Sequence, residues 1–218
     1  MATNNEGILG GFSGTIGTVV GFVRHGKSYM RSRPVRKAKY TESELMNQAK
    51  FKLVQDHLEP IKDLLREGFR EYYTQTGGYR AALAYTRKMA LVSDDAGFYI
   101  DPALFKISGG TLEGAINPTV SLEPDNVLRF NWESAEDGEG AQDQMMVLVY
   151  DTANFNALTR VYDGAFRNAG ELHIALPASM QGKTVDIYIG FMAADRSRQS
   201  ESQYLGRVEV AGINSYGL

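Results

Sequence analysis

One segment of the chain has the residue spacing of a phosphate-binding loop. Residues 21–28 read GFVRHGKS and match G-x-x-x-x-G-K-[ST], while the run MVLVYD at 146–151 ends in an aspartate. In nucleotide-binding proteins such a loop and its lysine hold phosphates, and an aspartate after a strand helps to hold Mg²⁺. That chemistry needs a helix directly after the loop. Ser28 is instead followed by the extended segment YMRSRPV, so the sequence favours a hairpin turn, and we predict no cofactor.

The other residues that could bind a metal or transfer protons do not form a recognisable set. His25, His57 and His173 fall in a predicted turn, helix and strand, and no two have metal-ligand spacing. Five acidic residues lack the spacing of a calcium-binding loop and favour a solvated loop instead: Glu133, Glu136, Asp137, Glu139 and Asp143. Cysteine is absent, which excludes disulfides and thiolate chemistry. We therefore predict a non-enzymatic protein with no catalytic residues and no metal.

Charge is distributed unevenly along the chain. Residues 1–40 carry a net charge of +6, residues 41–100 of −1 and residues 101–218 of −8. Such asymmetry is typical of proteins that associate with nucleic acid, with an acidic protein, or with the acidic end of another copy. Seven basic residues form the candidate partner-binding or nucleic-acid-binding site: Arg24, Lys27, Arg31, Arg33, Arg36, Lys37 and Lys39. No nucleic-acid-binding motif accompanies them, so protein assembly, nucleic-acid binding and a solvated face all stay open.

The basic residues belong to a predicted β-hairpin, which we call the basic arm (residues 1–40). Residues 16–23 have the composition of a strand, His25–Gly26 of a tight turn, and residues 27–33 of a returning strand that Pro34 ends. A two-stranded ribbon is marginally stable in water. The arm must therefore lie on another surface, either the body of its own chain or a neighbouring molecule.

Residues 41–104 are predicted to be a helical region. Thr41 and Glu44 have the spacing of a capping box, and Pro60 predicts a kink or a new helix. One helical face is apolar, with Val54, Leu58, Ile61, Leu65, Phe69 and Tyr72. A second helix is predicted from Arg80 to Leu91, after Gly77–Gly78. The apolar face indicates core packing rather than a ligand groove.

Residues 105–218 are predicted to be an antiparallel β-sandwich. Apolar and polar residues alternate in LRFNWE at 128–133 and ELHIAL at 171–176, and further strands fit near 106–121, 144–151, 157–163, 185–191 and 203–211. About seven short strands with an early buried Trp132 are typical of such sandwiches. Their order resembles a fibronectin type III module, a likeness of fold that implies no function. The predicted class is therefore α+β.

The N-terminal region resembles an uncharacterised family of about 200-residue proteins that is widespread in Bacteroidota and their phages. The shared features are a glycine-rich stretch at 11–21, a G-K-x-x-x-R-S-x-P segment at 26–34 and a helix from Thr41; ISGG, LRFNW and SESQYLG match later. The resemblance implies no activity and no catalytic residues. Its phage members imply a virion part, such as a neck or tail ring subunit.

Taken together, these features predict a structural or assembly protein that docks through the basic arm. The alternative is a nucleic-acid-binding protein that uses residues 24–39. No apolar run approaches the ~18–20 residues that span a bilayer, and the N-terminus lacks a secretory signal. We expect a homo-oligomer with other structural partners, no membrane partner, and location in a virion made in a bacterial cytoplasm, or alternatively in that cytoplasm itself.

Overall fold

The computed structural model describes residues 3–4, 10–35, 39–72, 77–94, 97–134 and 140–212. The chain divides into two compact units, residues 1–45 and 46–218. The prediction of a mixed α+β chain is confirmed, since helices and several antiparallel sheets are both present. Within the described ranges, no helix is long and apolar enough to cross a membrane.

The first unit contains an antiparallel sheet in the order β1-β2-β3-β4. Its strands are β1 (Thr3–Asn4), β2 (Phe12–Ile16), β3 (Val19–Arg24) and β4 (Lys27–Ser32). The predicted single strand over 16–23 is wrong, because the chain turns at Gly17–Thr18 and Gly17 has a φ of 57°. A glycine tolerates this left-handed backbone at little cost. The basic arm is therefore a meander of paired strands rather than one hairpin.

Three α-helices follow in the described residues; the first begins after the predicted cap at Thr41, whereas the third begins at Gly78, two residues before the predicted start at Arg80. They are α1 (Glu42–Leu58), α2 (Lys62–Gly68) and α3 (Gly78–Tyr85). The backbone N–H of Thr41 donates to Glu44 Oε2 at 2.9 Å, and the N–H of Glu44 donates to Thr41 Oγ1 at 3.3 Å, which confirms the capping box. Pro60 lies in a short 3₁₀ turn between α1 and α2, where its missing N–H separates the two helices.

The end of the helical region differs from the prediction. After α3 the chain makes a π-helical turn over Thr86–Ala90, then forms a hairpin of β5 (Leu91–Asp94) and β6 (Gly97–Ile100). The predicted apolar face is buried from Val54 to Phe69, but Tyr72 is 51% exposed. The helical prediction was thus too long at its C-terminal end.

Seven strands follow in the described part of residues 105–212. They are β7 (Ile116–Glu123), β8 (Val127–Glu133), β9 (Gln144–Asp151), β10 (Asn156–Arg160), β11 (Glu171–Ala175), β12 (Thr184–Met192) and β13 (Gln203–Glu209). They form one sheet in the order β10-β9-β12-β13 and another in the order β11-β8-β7, both antiparallel. Alternate residues of β8 and β12, among them Trp132 and Phe191, meet in one hydrophobic core between the sheets.

A second core covers the other face of the β10-β9-β12-β13 sheet. Leu58 and Leu65 from the helices pack there with Leu148, Tyr150 and Tyr188 from β9 and β12. Strand β9 is consequently buried on both faces, which accounts for its continuous apolar sequence. The predicted domain boundary between residues 104 and 105 runs through this core. Whether residues 105–218 fold independently stays a prediction.

Candidate interaction surface

The structure places the predicted basic residues on one small sheet. Arg24 ends β3, Lys27 and Arg31 lie in β4, and Arg33 follows β4 directly. These four and Lys39 are exposed, whereas Arg36 and Lys37 lie outside the described residues. Among the residues that the structure describes, no carboxylate forms an ion pair with any of the five. Because these five side chains are exposed, a partner can reach their charge.

The segment with phosphate-loop spacing has the geometry of a hairpin turn. His25 and Gly26 have φ values of 51° and 74°, and Arg24 pairs with Lys27 across them. Positive φ at both central residues is the mark of the two-residue turn that suits a twisted hairpin. Lys27 and Ser28 then continue in β4, so no helix N-terminus follows to receive a phosphate.

Asp151, the candidate magnesium ligand, has a local structural role. It is buried, and its carboxylate accepts hydrogen bonds from the backbone N–H groups of Ala153 and Asn154 and from Asn154 Nδ2. These bonds hold the turn after β9.

We accordingly expect Lys27→Ala to leave nucleotide binding unchanged, because the unmodified chain should bind none. Isothermal titration of both proteins with ATP and GTP in the presence of Mg²⁺ tests this. Magnesium-dependent heat in the unmodified protein that disappears in Lys27→Ala would contradict the hairpin interpretation of this segment.

One face of the β3–β4 hairpin combines positive charge with aromatic rings. We call it the cationic face: Phe22, Arg24, Lys27, Tyr29 and Arg31. Phe22 pairs with Tyr29 across the strands, and their rings stack with centroids 5.7 Å apart. The Arg31 guanidinium carbon lies 5.8 Å from the centroid of Phe22, within the range of a cation–π contact. The aromatic rings thus help to orient one of the arginines.

The opposite face is apolar and largely uncovered. We call it the apolar face: Phe12, Ile16, Val19, Val23 and Met30. The strand pairing puts the last four on one side, and Phe12 lies against Gly21 on the same side. Met30 is 71% exposed and Val23 59%. Gly21 pairs with Met30, and a Cβ there would come within 2.2 Å of the Phe12 carbonyl oxygen and 2.7 Å of its ring, so the glycine makes room for Phe12. Sequence reasoning missed this face because the glycines and the early turn obscured its alternation.

The sheet therefore has almost no interior of its own. Of residues 10–35 and 39–45, only Gly21 is buried. Strand β4 is an outer strand of the sheet, and all six of its residues are exposed. An uncovered outer strand offers unpaired backbone groups to another chain.

The other candidate sites do not assemble. The three histidines belong to different elements, His25 to the turn between β3 and β4, His57 to α1 and His173 to β11. The described residues contain no group of three or more side chains suited to a metal. Asp143, one of the acidic cluster, lies 3.2 Å from Arg167 Nη2 in a largely buried ion pair. Glu136, Asp137 and Glu139 lie outside the described residues.

A shallow aromatic pocket lies on the second unit. Phe69, Tyr72 and Tyr85 line it, and Lys106 and Glu201 form an ion pair at its side. Its volume of about 220 Å³ is below that of ordinary small-molecule sites, which begin near 300 Å³. The sheet of the first unit is the stronger candidate.

Comparison with known proteins places the chain in a family. The sequence profile of a family of unknown function (DUF6266) matches residues 11–206. The chain belongs to this family. The match confirms the prediction of membership in an uncharacterised family, while an origin in Bacteroidota or their phages stays a prediction.

Other comparisons add little. No curated protein matches the chain. Among solved structures, it is similar to the fn3 domain of human collagen alpha-1(XX) chain in solution, with 9% identity and a TM-score of 0.33. That similarity covers 48% of this chain and 90% of the collagen domain, and a TM-score this low carries no argument about the fold.

Proposed function

We propose that this DUF6266 protein is a non-enzymatic assembly subunit that docks through its N-terminal sheet. The observation that carries the proposal is the exposure of both faces and of the outer strand in a sheet whose only buried described residue is Gly21. Ordering a residue's backbone costs about 1–2 kcal/mol. A sheet without a core cannot recover that cost from its own burial, so contacts with a partner have to supply it.

Charge supports an acidic partner. Residues 1–40 carry a net charge of +6, whereas residues 101–218 carry −8. Opposite charges on two ends of one chain favour head-to-tail contacts between copies, which close into a ring or continue as a tube. We propose a virion neck or tail ring as the assembly, and other structural proteins of the particle as further partners.

The second unit serves in this proposal as the body of the subunit. Its four-stranded and three-stranded sheets share a core around Trp132, which supports a fibronectin type III-like sandwich. A fold of this kind implies no chemistry by itself. We therefore assign the docking to the basic arm and the scaffold to the sandwich with its helices.

Deletion of residues 1–39 should abolish assembly and spare the fold of the second unit. The deleted segment contains the whole sheet and all seven predicted basic residues. Sedimentation velocity of purified full-length and truncated protein gives the assembly state, and far-UV circular dichroism gives the fold. A truncated protein that assembles as the full chain does would contradict the proposed function.

Charge-reversal variants measure how much electrostatic attraction contributes to assembly. Arg31→Glu with Arg33→Glu should weaken assembly, and raised salt should have the same effect, since charge attractions at exposed sites are screened over ~10 Å at 0.1 M salt. Arg80→Glu with Arg87→Glu is the matched control, because it reverses two exposed arginines outside the arm and changes the net charge equally. Equal effects from the arm and control variants would argue against a specific role of the arm.

Nucleic-acid binding is the second candidate, and the cationic face favours it. Stacked Phe22 and Tyr29 beside Arg31 provide rings and positive charge, the two features that bind single strands. Binding of a fluorescent oligothymidine should then fall steeply with salt. It should also be lost in Tyr29→Ala. Absence of binding at low salt would reject this alternative.

A further inference from the structure

The hydrogen-bond pattern of the hairpin decides which backbone groups β4 offers to a partner. The N–H of Arg33 donates to the carbonyl oxygen of Thr18 at 2.7 Å. Directly opposed residues of antiparallel strands alternate between hydrogen-bonded and non-hydrogen-bonded pairs. The register therefore makes Lys27, Tyr29 and Arg31 the residues that bond to β3. Ser28, Met30 and Ser32 direct their N–H and C=O groups away from β3, toward the open side of β4.

The side chains of β4 divide in the same alternation. Lys27, Tyr29 and Arg31 lie on the cationic face, and Arg33 continues that side beyond the strand. Ser28, Met30 and Ser32 lie on the apolar face. A strand that pairs with β4 thus meets positive charge at alternate positions on one side and Met30 on the other.

A second β4 is a poor match for this edge. In antiparallel pairing, the outward residues Ser28, Met30 and Ser32 must oppose one another. If the two-fold axis between the two β4 strands passes through Met30, Lys27 of each strand lies opposite Arg33 of the other. If the axis passes through Tyr29, Lys27 lies opposite Arg31. Like charges directly opposite one another destabilise a strand pair. Charge thus disfavours symmetric pairing of two β4 strands.

We propose that β4 binds an extended strand of a partner protein that carries carboxylates at alternate positions. This inference rests on the proposed function and specifies the contact that the arm makes. Main-chain hydrogen bonds to Ser28, Met30 and Ser32 supply the attachment, and the alternating side chains select the partner. Carboxylates on the partner strand lie opposite Lys27 and Arg31, and apolar side chains lie opposite Met30.

Two peptides of identical composition test the alternation. In the first, glutamate and valine alternate; in the second, the same glutamates form one block and the valines another. Fluorescence anisotropy with the full-length protein should give an affinity at least about tenfold higher for the alternating peptide, a difference of about 1.4 kcal/mol. Equal affinities would overturn the proposal, because simple charge attraction does not distinguish the two orders.

Two variants test the role of the backbone. Met30→Pro removes one outward N–H and retains the bonds of Lys27, Tyr29 and Arg31 to β3, so it should abolish the preference for the alternating peptide. Met30→Ala retains that N–H and is the matched control, which should keep the preference. Loss of the preference in both variants to the same degree would attribute binding to the Met30 side chain and overturn strand addition.

Reversal of the charges on β4 tests the selectivity of its side chains without a proline substitution, which could also disturb the sheet. Lys27→Glu with Arg31→Glu should lose the glutamate–valine peptide and gain an alternating lysine–valine peptide. A variant that keeps its preference for the glutamate–valine peptide would overturn the proposal, as would binding of oligothymidine in preference to the alternating peptide.

Assembly distinguishes a failure of this inference from a failure of the proposed function. If Met30→Pro still assembles while deletion of residues 1–39 prevents assembly, strand addition is wrong and the proposed function stands. If the deletion also leaves assembly intact, the proposed function is wrong.

Discussion

Trp132→Ala should lower the free energy of unfolding of the second unit by ~3–5 kcal/mol, the range for removal of a large buried aromatic side chain. Trp132 is 6% exposed and lies in the core between the two sheets. Its ring meets Phe191 edge to face with centroids 6.0 Å apart, and its Nε1–H donates to the carbonyl oxygen of Arg167 at 2.7 Å. The substitution removes the apolar contacts and the donor together.

Trp132→Phe separates these two losses. Phenylalanine retains much of the apolar volume but removes the part-buried hydrogen bond to the Arg167 carbonyl, a loss of about 0.5–1.5 kcal/mol. Its stability should therefore fall between those of the unmodified protein and Trp132→Ala. Urea unfolding is best followed by far-UV circular dichroism, because Trp132 is the only tryptophan and fluorescence would lose its probe. An unchanged midpoint in Trp132→Ala would show that this ring does not support the core.

Local signals in the sequence predicted local features of the fold well. The capping box at Thr41, the break at Pro60 and the turn at His25–Gly26 each depend on residues within a few positions of one another. Their physical causes are a side-chain cap, a missing N–H and a positive φ, all of which a short window of sequence contains. The alternation in 128–133 likewise predicted a strand with one buried face.

Features that depend on distant contacts were missed. The helices cover the outer face of the β10-β9-β12-β13 sheet, so β9 is buried on both sides. The continuous apolar run of β9 was the available signal, but it does not say which element covers the second face. Tyr72 shows the converse error, since it continues the helical spacing and yet is exposed beyond the end of α2.

The candidate surface was predicted in part. Clustering of arginine and lysine in the sequence located the basic residues, because charge needs no tertiary contact to be recognised. The apolar face and the outward backbone groups of β4 required the register of β3 against β4, which depends on the turn at His25–Gly26. A one-residue shift of register would exchange the two faces.

Stability should decrease as the pH falls from about 6.5 to about 4, and His57 should cause much of the decrease. The imidazole is 7% exposed and lies against Phe105 and Tyr150, with ring centroids 5.0 and 4.9 Å away. Burial lowers the pKa of His57 from 6.5 to about 4, although the carboxylate of Asp186 acts in the opposite direction. The folded protein therefore keeps a neutral imidazole that the unfolded chain would protonate.

The sign of the effect follows from proton binding. Between pH 6.5 and 4 the unfolded state binds more protons at this residue than the folded state, so stability rises with pH over that interval. The stability associated with the neutral imidazole of His57 is fully present above pH 6.5 and is lost as the pH approaches 4. A change of this size in pKa corresponds to about 3 kcal/mol, which is a large part of the stability of an ordinary domain.

His57→Leu provides the comparison, because leucine fills an apolar site without a proton to bind. Urea midpoints of both proteins across this pH interval give the difference in unfolding free energy at each pH. We expect the variant to lose less stability on acidification, by about 3 kcal/mol over the interval, even if it is less stable than the unmodified protein at pH 7. Parallel pH profiles for the two proteins would mean that other groups cause the acid sensitivity. Protonation of His57 would then not lower the free energy of unfolding.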